Sequence, residues 1–193
     1  MKIEKGRLDA ARWVASPNFG PRPTRKDISL LVIHNISLPP AQFGGGFIED
    51  FFCNQLDCSL DPYFQTIADL RVSSHLLIGR DGALTQFVNF DDRAWHAGKS
   101  VFAGRDNCND YSVGIELEGT DTTPYTDAQY QALAQVSRCL MDSYPAISAQ
   151  RITGHEHIAP GRKTDPGPAF DWDRYRTMLR SESNEDGLSK ENV

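Results

Sequence analysis

The sequence predicts an α/β fold, a single domain in which helices flank a mixed central β-sheet. Short apolar runs typical of buried strands alternate along the chain with stretches of helical periodicity. An Asp-Gly turn at residues 81–82 joins two of these runs into an antiparallel hairpin, so the sheet is not purely parallel. The 193 residues are enough for one domain that folds around its own core without disulfides.

The first part of the chain supplies one strand and two short helices. Residues 1–27 are rich in Pro, Arg and Gly, and we expect them to be mostly loop packed on the core. Residues 28–34, ISLLVIH, are an apolar run predicted to form a fully buried strand. After a loop over 35–46, residues 47–70 hold two helical patterns that break near Pro62.

The middle of the chain supplies the hairpin and a further strand. Its two hairpin strands are predicted at 71–78 and 83–90. Residues 111–118, YSVGIELE, alternate strictly between apolar side chains and small or polar ones. This alternation places Glu116 and Glu118 on the same face of the strand.

The last part of the chain begins with the clearest helix, predicted over 126–144 and ended by Pro145. A short strand follows at 151–155, and Asp171 is expected to cap a last helix over 172–180. The polar residues beyond that helix are expected to be a disordered tail.

Composition excludes several classes of partner. The formal charge of −6 and a pI near 5.3 argue against nucleic acid, because phosphate binding requires a basic surface. The chain has no apolar stretch of the roughly 20 residues that a membrane span needs. Charged residues stand where a secretory signal would place its apolar core, so we expect a cytoplasmic monomer whose four cysteines are free thiols.

Two histidines indicate a metal site. His34 and His155 each close a predicted strand and precede a Gly- and Pro-rich loop, and ligands gather at the carboxyl ends of strands in α/β sheets. Zinc in catalytic sites takes three protein ligands and keeps one position for water. Asp165, in the loop after His155, is the strong candidate for the third ligand. His157 is the alternative, because it would share a face with His155 if the strand continued.

Acid–base chemistry has two candidate carboxylates. Glu116 is the better general base, because Gly114 beside it leaves room for an approaching group. Alternation alone does not separate it from Glu118. Lys163, two residues before Asp165, offers a cation that would stabilise developing oxyanion charge.

The other histidines have weaker indications. His75 lies within a hairpin strand and is expected to be a packed, hydrogen-bonded side chain or a group behind the ligands. The pair Trp95-His96 is expected either to line a substrate cleft or to be a packed Trp with a surface His.

Four motifs in order resemble a known family. They are LVIHNISLPP at 31–40, RAWHAG at 93–98, NDYSVGIELEGTD at 109–121 and GHEHIAPGRKTDPGPAFDW at 154–172. Together they resemble the AmpD-type zinc amidases of the N-acetylmuramoyl-L-alanine amidase family, which are related to peptidoglycan recognition proteins. The resemblance covers about residues 28–176. We therefore predict one zinc amidase domain over 1–180, with 181–193 as the tail.

The resemblance implies a role for individual residues. It implies that His34, His155 and Asp165 hold Zn²⁺. It also implies that Glu116 is the acid–base group and that Lys163 stabilises the transition state. The substrate contacts that it implies are Asn35, Arg71, Trp95 and Arg162.

The implied reaction is hydrolysis of the amide between 1,6-anhydro-N-acetylmuramic acid and L-alanine of the stem peptide, in cytosolic recycling of peptidoglycan. The partner is then a small molecule, an anhydro-muropeptide. Three rival functions are a non-catalytic peptidoglycan-binding module, an exported amidase of broad specificity and a zinc protease. The first would lack a metal ligand and the second would need an export signal. The motif resemblance argues against the third.

Overall fold

The computed structural model describes residues 1–24 and 27–181. Its centre is a six-stranded mixed sheet, in agreement with the predicted α/β class. The strands are β1 (Arg12–Trp13), β2 (Leu30–Ile36), β3 (Leu76–Ile78), β4 (Leu84–Gln86), β5 (Ser112–Glu118) and β6 (Ile152–Gly154). They lie in the order β6-β2-β5-β3-β4-β1. All neighbours are parallel except β3 and β4, which form the predicted antiparallel hairpin.

Five helices and several short segments complete the described chain. The helices are α1 (Phe47–Phe52), α2 (Pro62–Ile67), α3 (Asp127–Ser143), α4 (His155–Ile158) and α5 (Trp172–Ser181). Two-residue strands pair Ile3–Glu4 with Arg7–Leu8, Phe19–Gly20 with Arg93–Ala94, and Val101–Phe102 with Arg105–Asp106, while 3₁₀ turns span Cys108–Asp110 and Ala149–Arg151. Within residues 1–24 and 27–181, no helix has the length and apolarity to cross a bilayer.

Helices α3 and α5 begin where their capping residues predict. Thr126 and Gln129 form a capping box at the start of α3, so the side chain of each residue accepts a hydrogen bond from the backbone N–H of the other. The backbone N–H of Arg174 donates to Oδ1 of Asp171 over 2.9 Å, as expected of a cap on α5. Helices α3 and α5 pack on one face of the sheet and bury its largest apolar cluster.

Two expectations about the chain are corrected. The N-terminal segment is mostly loop, as expected, although its strand β1 pairs with β4 at the edge of the sheet. β2 continues past His34 to Ile36, since pairing with β5 extends that far. Ser181 belongs to α5 rather than to a tail, and the predicted disorder of 182–193 lies outside the described residues.

Candidate active site

The sheet brings two of the predicted site residues together. β2 and β5 pair in parallel with His34 directly opposite Glu116, on the face that α3 does not cover. β6 pairs with β2 on its other side, with Gly154 opposite Ile33. The next residue, His155, therefore lies beside His34. The site thus forms at the carboxyl edge of parallel strands, where ligands gather in α/β folds.

The sequence predicted that His155 ends a strand. In the structure, His155 is instead the first residue of α4. A helical turn sends neighbouring side chains in different directions, and this separates the two candidate histidines. The side chain of His155 is 3% exposed, whereas that of His157 is 58% exposed and packs near Trp172. The alternative with His157 beside His155 on one strand face is therefore absent from this geometry.

Three atoms of the kinds that bind metals converge at this edge. Nδ1 of His34, Nδ1 of His155 and Oδ2 of Asp165 lie 3.0 Å from one another in every pairing. Four ligands around zinc at roughly 2.0–2.1 Å stand about 3.3 Å apart, so this spacing is close to that of a zinc site. Two imidazole nitrogens and one carboxylate oxygen are also a donor set that zinc accepts. The residues present therefore fit the metal that the family implies.

Asp165 is held in place by its own loop. Its carbonyl oxygen accepts the N–H of Glu156 over 2.9 Å. The carbonyl of Pro166 accepts hydrogen bonds from Nδ2 of Asn35 and from the hydroxyl of Tyr125. These contacts tie the Asp165 loop to α4, β2 and the segment before α3. The carboxylate is thereby positioned by backbone contacts and not only by its histidine neighbours.

The protonation states of His34, His155 and Asp165, called the triad from here on, suit metal binding. Burial raises the pKa of Asp165, but hydrogen bonds from His155 and His34 outweigh burial and hold that pKa well below its usual range. Burial lowers the pKa of His34 to about 4, against an opposing hydrogen bond to Asp165. At neutral pH the site therefore presents an ionised carboxylate and a neutral imidazole, the forms in which both groups bind metals.

Glu116 is the carboxylate that faces this site. Its side chain is buried, and its Oε2 has no hydrogen-bond partner among the described residues. Burial and the charge of Asp165 raise the pKa of Glu116 well above its usual value, while Lys163 opposes this. A buried carboxylate oxygen without a partner is costly. Glu116 lines the cleft beside His34, His155 and Asp165, so this oxygen without a partner belongs to a side chain of the site.

Glu118 has a different role, which separates the two carboxylates. Its Oε1 accepts the backbone N–H of Gly44 over 2.6 Å, and its Oε2 accepts that of Arg80 over 3.2 Å. Both oxygens therefore hold loops at the far end of β5, and Glu118 does not line the triad cleft.

A cleft of about 360 Å³ opens over the triad. One wall carries the polar residues of the site, including Lys163, and the other wall is apolar. The apolar wall consists of Ile36, Leu38, Phe51, Phe52, Ile67, Leu70 and Val72. A second, more open and polar groove adjoins the triad on the side of Asp121 and Thr122.

The residues predicted to contact substrate lie in three places. Asn35 and Trp95 line the cleft. Arg71 lies outside it, and its guanidinium donates to the backbone carbonyls of Ala68 and Leu70. Arg162 lines the polar groove, where it donates to the carbonyls of Ala97 and Lys99 over 2.6 and 2.7 Å. The structure thus brings two of the four to the cleft and one to the groove beside it.

His96 lies inside the site. Its Nδ1 is 2.9 Å from Nε2 of His34, and a Cβ atom at Gly114 would lie 2.5 Å from its ring. The space that Gly114 leaves on its strand, which the sequence did indicate, is therefore filled by the ring of His96. Nothing in the local sequence shows that His96 and Gly114 are in contact, because they are distant along the chain.

Comparison with known proteins agrees with this fold and identifies the family of the chain. The model of the N-acetylmuramoyl-L-alanine amidase family matches residues 24–168, and the chain belongs to that family of amide hydrolases. The 1,6-anhydro-N-acetylmuramyl-L-alanine amidase AmpD of Haemophilus influenzae is 56% identical over 178 residues, which are 92% of this chain and 97% of that protein.

Solved structures agree as well. A crystal structure of a Se-Met AmpD derivative superposes with a TM-score of 0.90 at 57% identity, covering 93% of this chain and 99% of that one. The amidase AmiD of Escherichia coli, solved with the substrate anhydro-N-acetylmuramic acid-L-Ala-D-gamma-Glu-L-Lys, gives a TM-score of 0.58 at 29% identity, covering 89% of this chain and 60% of that one.

Proposed function

We propose that this chain is a zinc-dependent amidase of cytosolic cell-wall recycling. It cleaves the amide bond between 1,6-anhydro-N-acetylmuramic acid and L-alanine of the stem peptide. The observation that carries the proposal is the convergence of three donor atoms, 3.0 Å apart, beside a buried glutamate oxygen that has no partner within the described part of the chain. The names of the similar AmpD and AmiD proteins, the second solved with an anhydro-muropeptide, support the choice of substrate.

His34, His155 and Asp165 are the residues that would hold the metal. Bound zinc supplies a Lewis acid that activates water and polarises the carbonyl group of the scissile amide. The low pKa of Asp165 keeps one negative charge at the site. That charge strengthens binding of a cation and limits the acidity at which the cation is lost.

Glu116 is the proton carrier of the proposed reaction. It takes a proton from the attacking water and returns it to the nitrogen of the leaving L-alanine. Burial raises the pKa of Glu116, and a raised pKa makes its carboxylate a stronger base for the first of these steps. Lys163 lines the same cleft, and its ammonium group would stabilise the oxyanion that forms on the carbonyl.

The substrate would lie across the triad, with Asn35 and Trp95 at the cleft side. Arg162, in the groove beside the cleft, would hold a carboxylate of the stem peptide, because a guanidinium matches a carboxylate with two parallel hydrogen bonds. Arg71 lies outside the cleft, so it would hold a carboxylate only of a part of the peptide that extends beyond the cleft. Each uses part of its five donors on backbone carbonyls, so donors remain for a ligand. The apolar wall and the adjoining polar groove suit a substrate with parts of unlike polarity on either side of the scissile bond.

Product analysis with a defined substrate tests the proposal. The purified protein is incubated with an anhydro-muropeptide, with the same muropeptide lacking the anhydro bond, and with an ordinary peptide. We expect mass spectrometry to show free stem peptide from the first. Cleavage of the ordinary peptide at a similar rate would support a zinc protease instead.

Metal dependence is tested on the same reaction. Removal of metal with a chelator should abolish turnover, and added zinc should restore it. The zinc content should be close to one ion per chain. Full activity in a metal-free preparation would contradict the proposed chemistry.

A further inference from the structure

A line of hydrogen bonds runs from His34 away from the triad. Nε2 of His34 lies 2.9 Å from Nδ1 of His96, and Nε2 of His96 lies 3.0 Å from the hydroxyl oxygen of Ser112. Since Nδ1 of His34 is the atom aimed at the other two ligands, His96 contacts this ligand on its opposite nitrogen. Neither His96 nor Ser112 has a part in the function proposed above.

The direction of these bonds decides whether His34 can bind a metal. A neutral imidazole carries one proton, and a ligand nitrogen must be free of it. When His34 donates from Nε2 to His96, its Nδ1 is free. When the line is reversed, His96 donates to Nε2 of His34. The proton of His34 then sits on Nδ1 and blocks the lone pair that a metal needs.

The second histidine ligand has no such choice. Nε2 of His155 lies 3.1 Å from the carbonyl oxygen of Ala97, which only accepts hydrogen bonds. When a metal takes the place of the hydrogen bond between Nδ1 of His155 and Asp165, the carbonyl keeps the proton of His155 on Nε2 and leaves Nδ1 free to bind the ion. The neighbouring residues His96 and Ala97 thus contact the outer nitrogens of both ligand histidines. One short segment of chain supports both metal ligands.

The ring of His96 is fixed tightly enough to serve this purpose. It lies over Gly114, where any side chain would collide with it at 2.5 Å. Its backbone N–H donates to Oδ1 of Asn109, and its ring meets the ring of His75 edge to face. His75 is itself fixed, because its Nδ1 accepts the N–H of Gly114 over 3.0 Å.

We propose that His96 is a positioning residue for the metal site. By accepting a hydrogen bond from Nε2–H of His34, it keeps Nδ1 of His34 free of a proton and aimed at the ion. Ser112 in turn accepts a hydrogen bond from Nε2–H of His96. This inference rests on the proposed zinc-dependent function, since it assigns a task in binding that metal. Groups behind metal ligands typically change affinity about 10–100-fold when they are altered.

Two variants of His96 test whether the hydrogen-bond acceptor at Nδ1 is the part of the ring that matters. The amide oxygen of His96→Asn sits near the place of Nδ1, whereas that of His96→Gln reaches toward Nε2 and Ser112. We expect zinc affinity, measured by competition with a chromophoric chelator, to fall about 10–100-fold in His96→Gln. His96→Asn should stay within a few-fold of the unaltered protein. The exposed His157→Asn is the matched control and should bind zinc normally.

The competition assay has clear contrary outcomes. Equal affinities in all variants, or equal losses in His96→Asn and His96→Gln, would overturn the role of the Nδ1 acceptor. An unaltered protein that binds no zinc would instead refute the proposed function, and this inference with it.

A measurement without substitution covers the case in which a variant does not fold. Nitrogen-15 NMR of the zinc-loaded protein reports which ring nitrogen of each histidine carries the proton. We expect His96 to carry its proton on Nε2. A proton on Nδ1 of His96 would overturn the inference.

Discussion

The two faces of β5 are both buried, but one is apolar and the other carries small and polar residues. One face packs three apolar side chains into the main core under α3 and α5. The other face buries small and polar groups against the cleft and its loops. The apolar set is Val113, Ile115 and Leu117, and the polar set is Ser112, Gly114, Glu116 and Glu118.

The difference shows where the fold leaves a buried polar atom without a hydrogen bond. Buried polar groups are costly unless they are hydrogen-bonded. Ser112 and Glu118 have their partners, and Gly114 has the ring of His96 against it. Among the described residues, Oε2 of Glu116 is the side-chain atom of this face that is fully buried without a partner. The unsatisfied group thus lies at the place where chemistry is proposed, while the apolar face serves stability alone.

The largest effect is expected from Glu116→Gln, which removes the base without changing the shape of the side chain. Turnover should fall about 10²–10⁴-fold, because general acid–base help is worth that much. Zinc should remain bound, since Glu116 is not a ligand. Steady-state kinetics with an anhydro-muropeptide and metal analysis of the same sample check both statements.

Glu118→Gln is the matched control for that variant. Its carboxylate holds two backbone N–H groups, so we expect a loss of about 1–3 kcal/mol in the free energy of unfolding. Turnover of the folded protein should stay within about tenfold of the unaltered protein. A severe loss of turnover in Glu118→Gln together with a mild one in Glu116→Gln would show that the base is Glu118.

The next largest effect is expected from Asp165→Ala, which removes one of the three converging atoms. Zinc affinity should fall by more than the roughly 100-fold expected for a group behind a ligand. His157→Asn changes an exposed side chain two residues from His155 in α4, and it should leave zinc stoichiometry unchanged. Titration calorimetry with zinc distinguishes the two, and the reverse result would reinstate a site with three histidines.

The smallest effect is expected on the apolar face. Ile115→Val removes one buried methyl group and should lower the free energy of unfolding by about 0.5–1.5 kcal/mol. Because Ile115 points away from the cleft, turnover per folded molecule should not change. Denaturant unfolding and kinetics on the same preparation check this. A change in turnover larger than that in Glu118→Gln would mean that the two faces are not independent.

Much of the fold was predictable because its elements carry strong local patterns. The alternation in β5, the Asp-Gly hairpin and the capped α3 were each visible in a short window of sequence. The one-turn helix at His155 was not, because four residues are too few to show helical periodicity. The two-residue strand β1 was missed for the same reason.

The candidate site divides in a similar way. Histidines beside Gly- and Pro-rich loops pointed to His34 and His155, which the structure brings together with Asp165. The contact between His34 and His96 joins residues 62 positions apart, and no local pattern indicates it. Glu116 and Glu118 became distinct only through backbone N–H groups of distant loops.

The parallel pairing of β2 with β5, with His34 opposite Glu116, has a consequence for how this chain tolerates change in length. Side chains along a strand alternate between its two faces, so a shift of one residue exchanges the faces completely. One residue inserted into Ser112–Glu118 would present isoleucine or leucine to the metal ligands and send the glutamates into the apolar core. Single substitutions damage one function at a time, whereas an insertion here would remove stability and chemistry together. Engineered libraries should therefore vary length in the loops and keep this strand at seven residues.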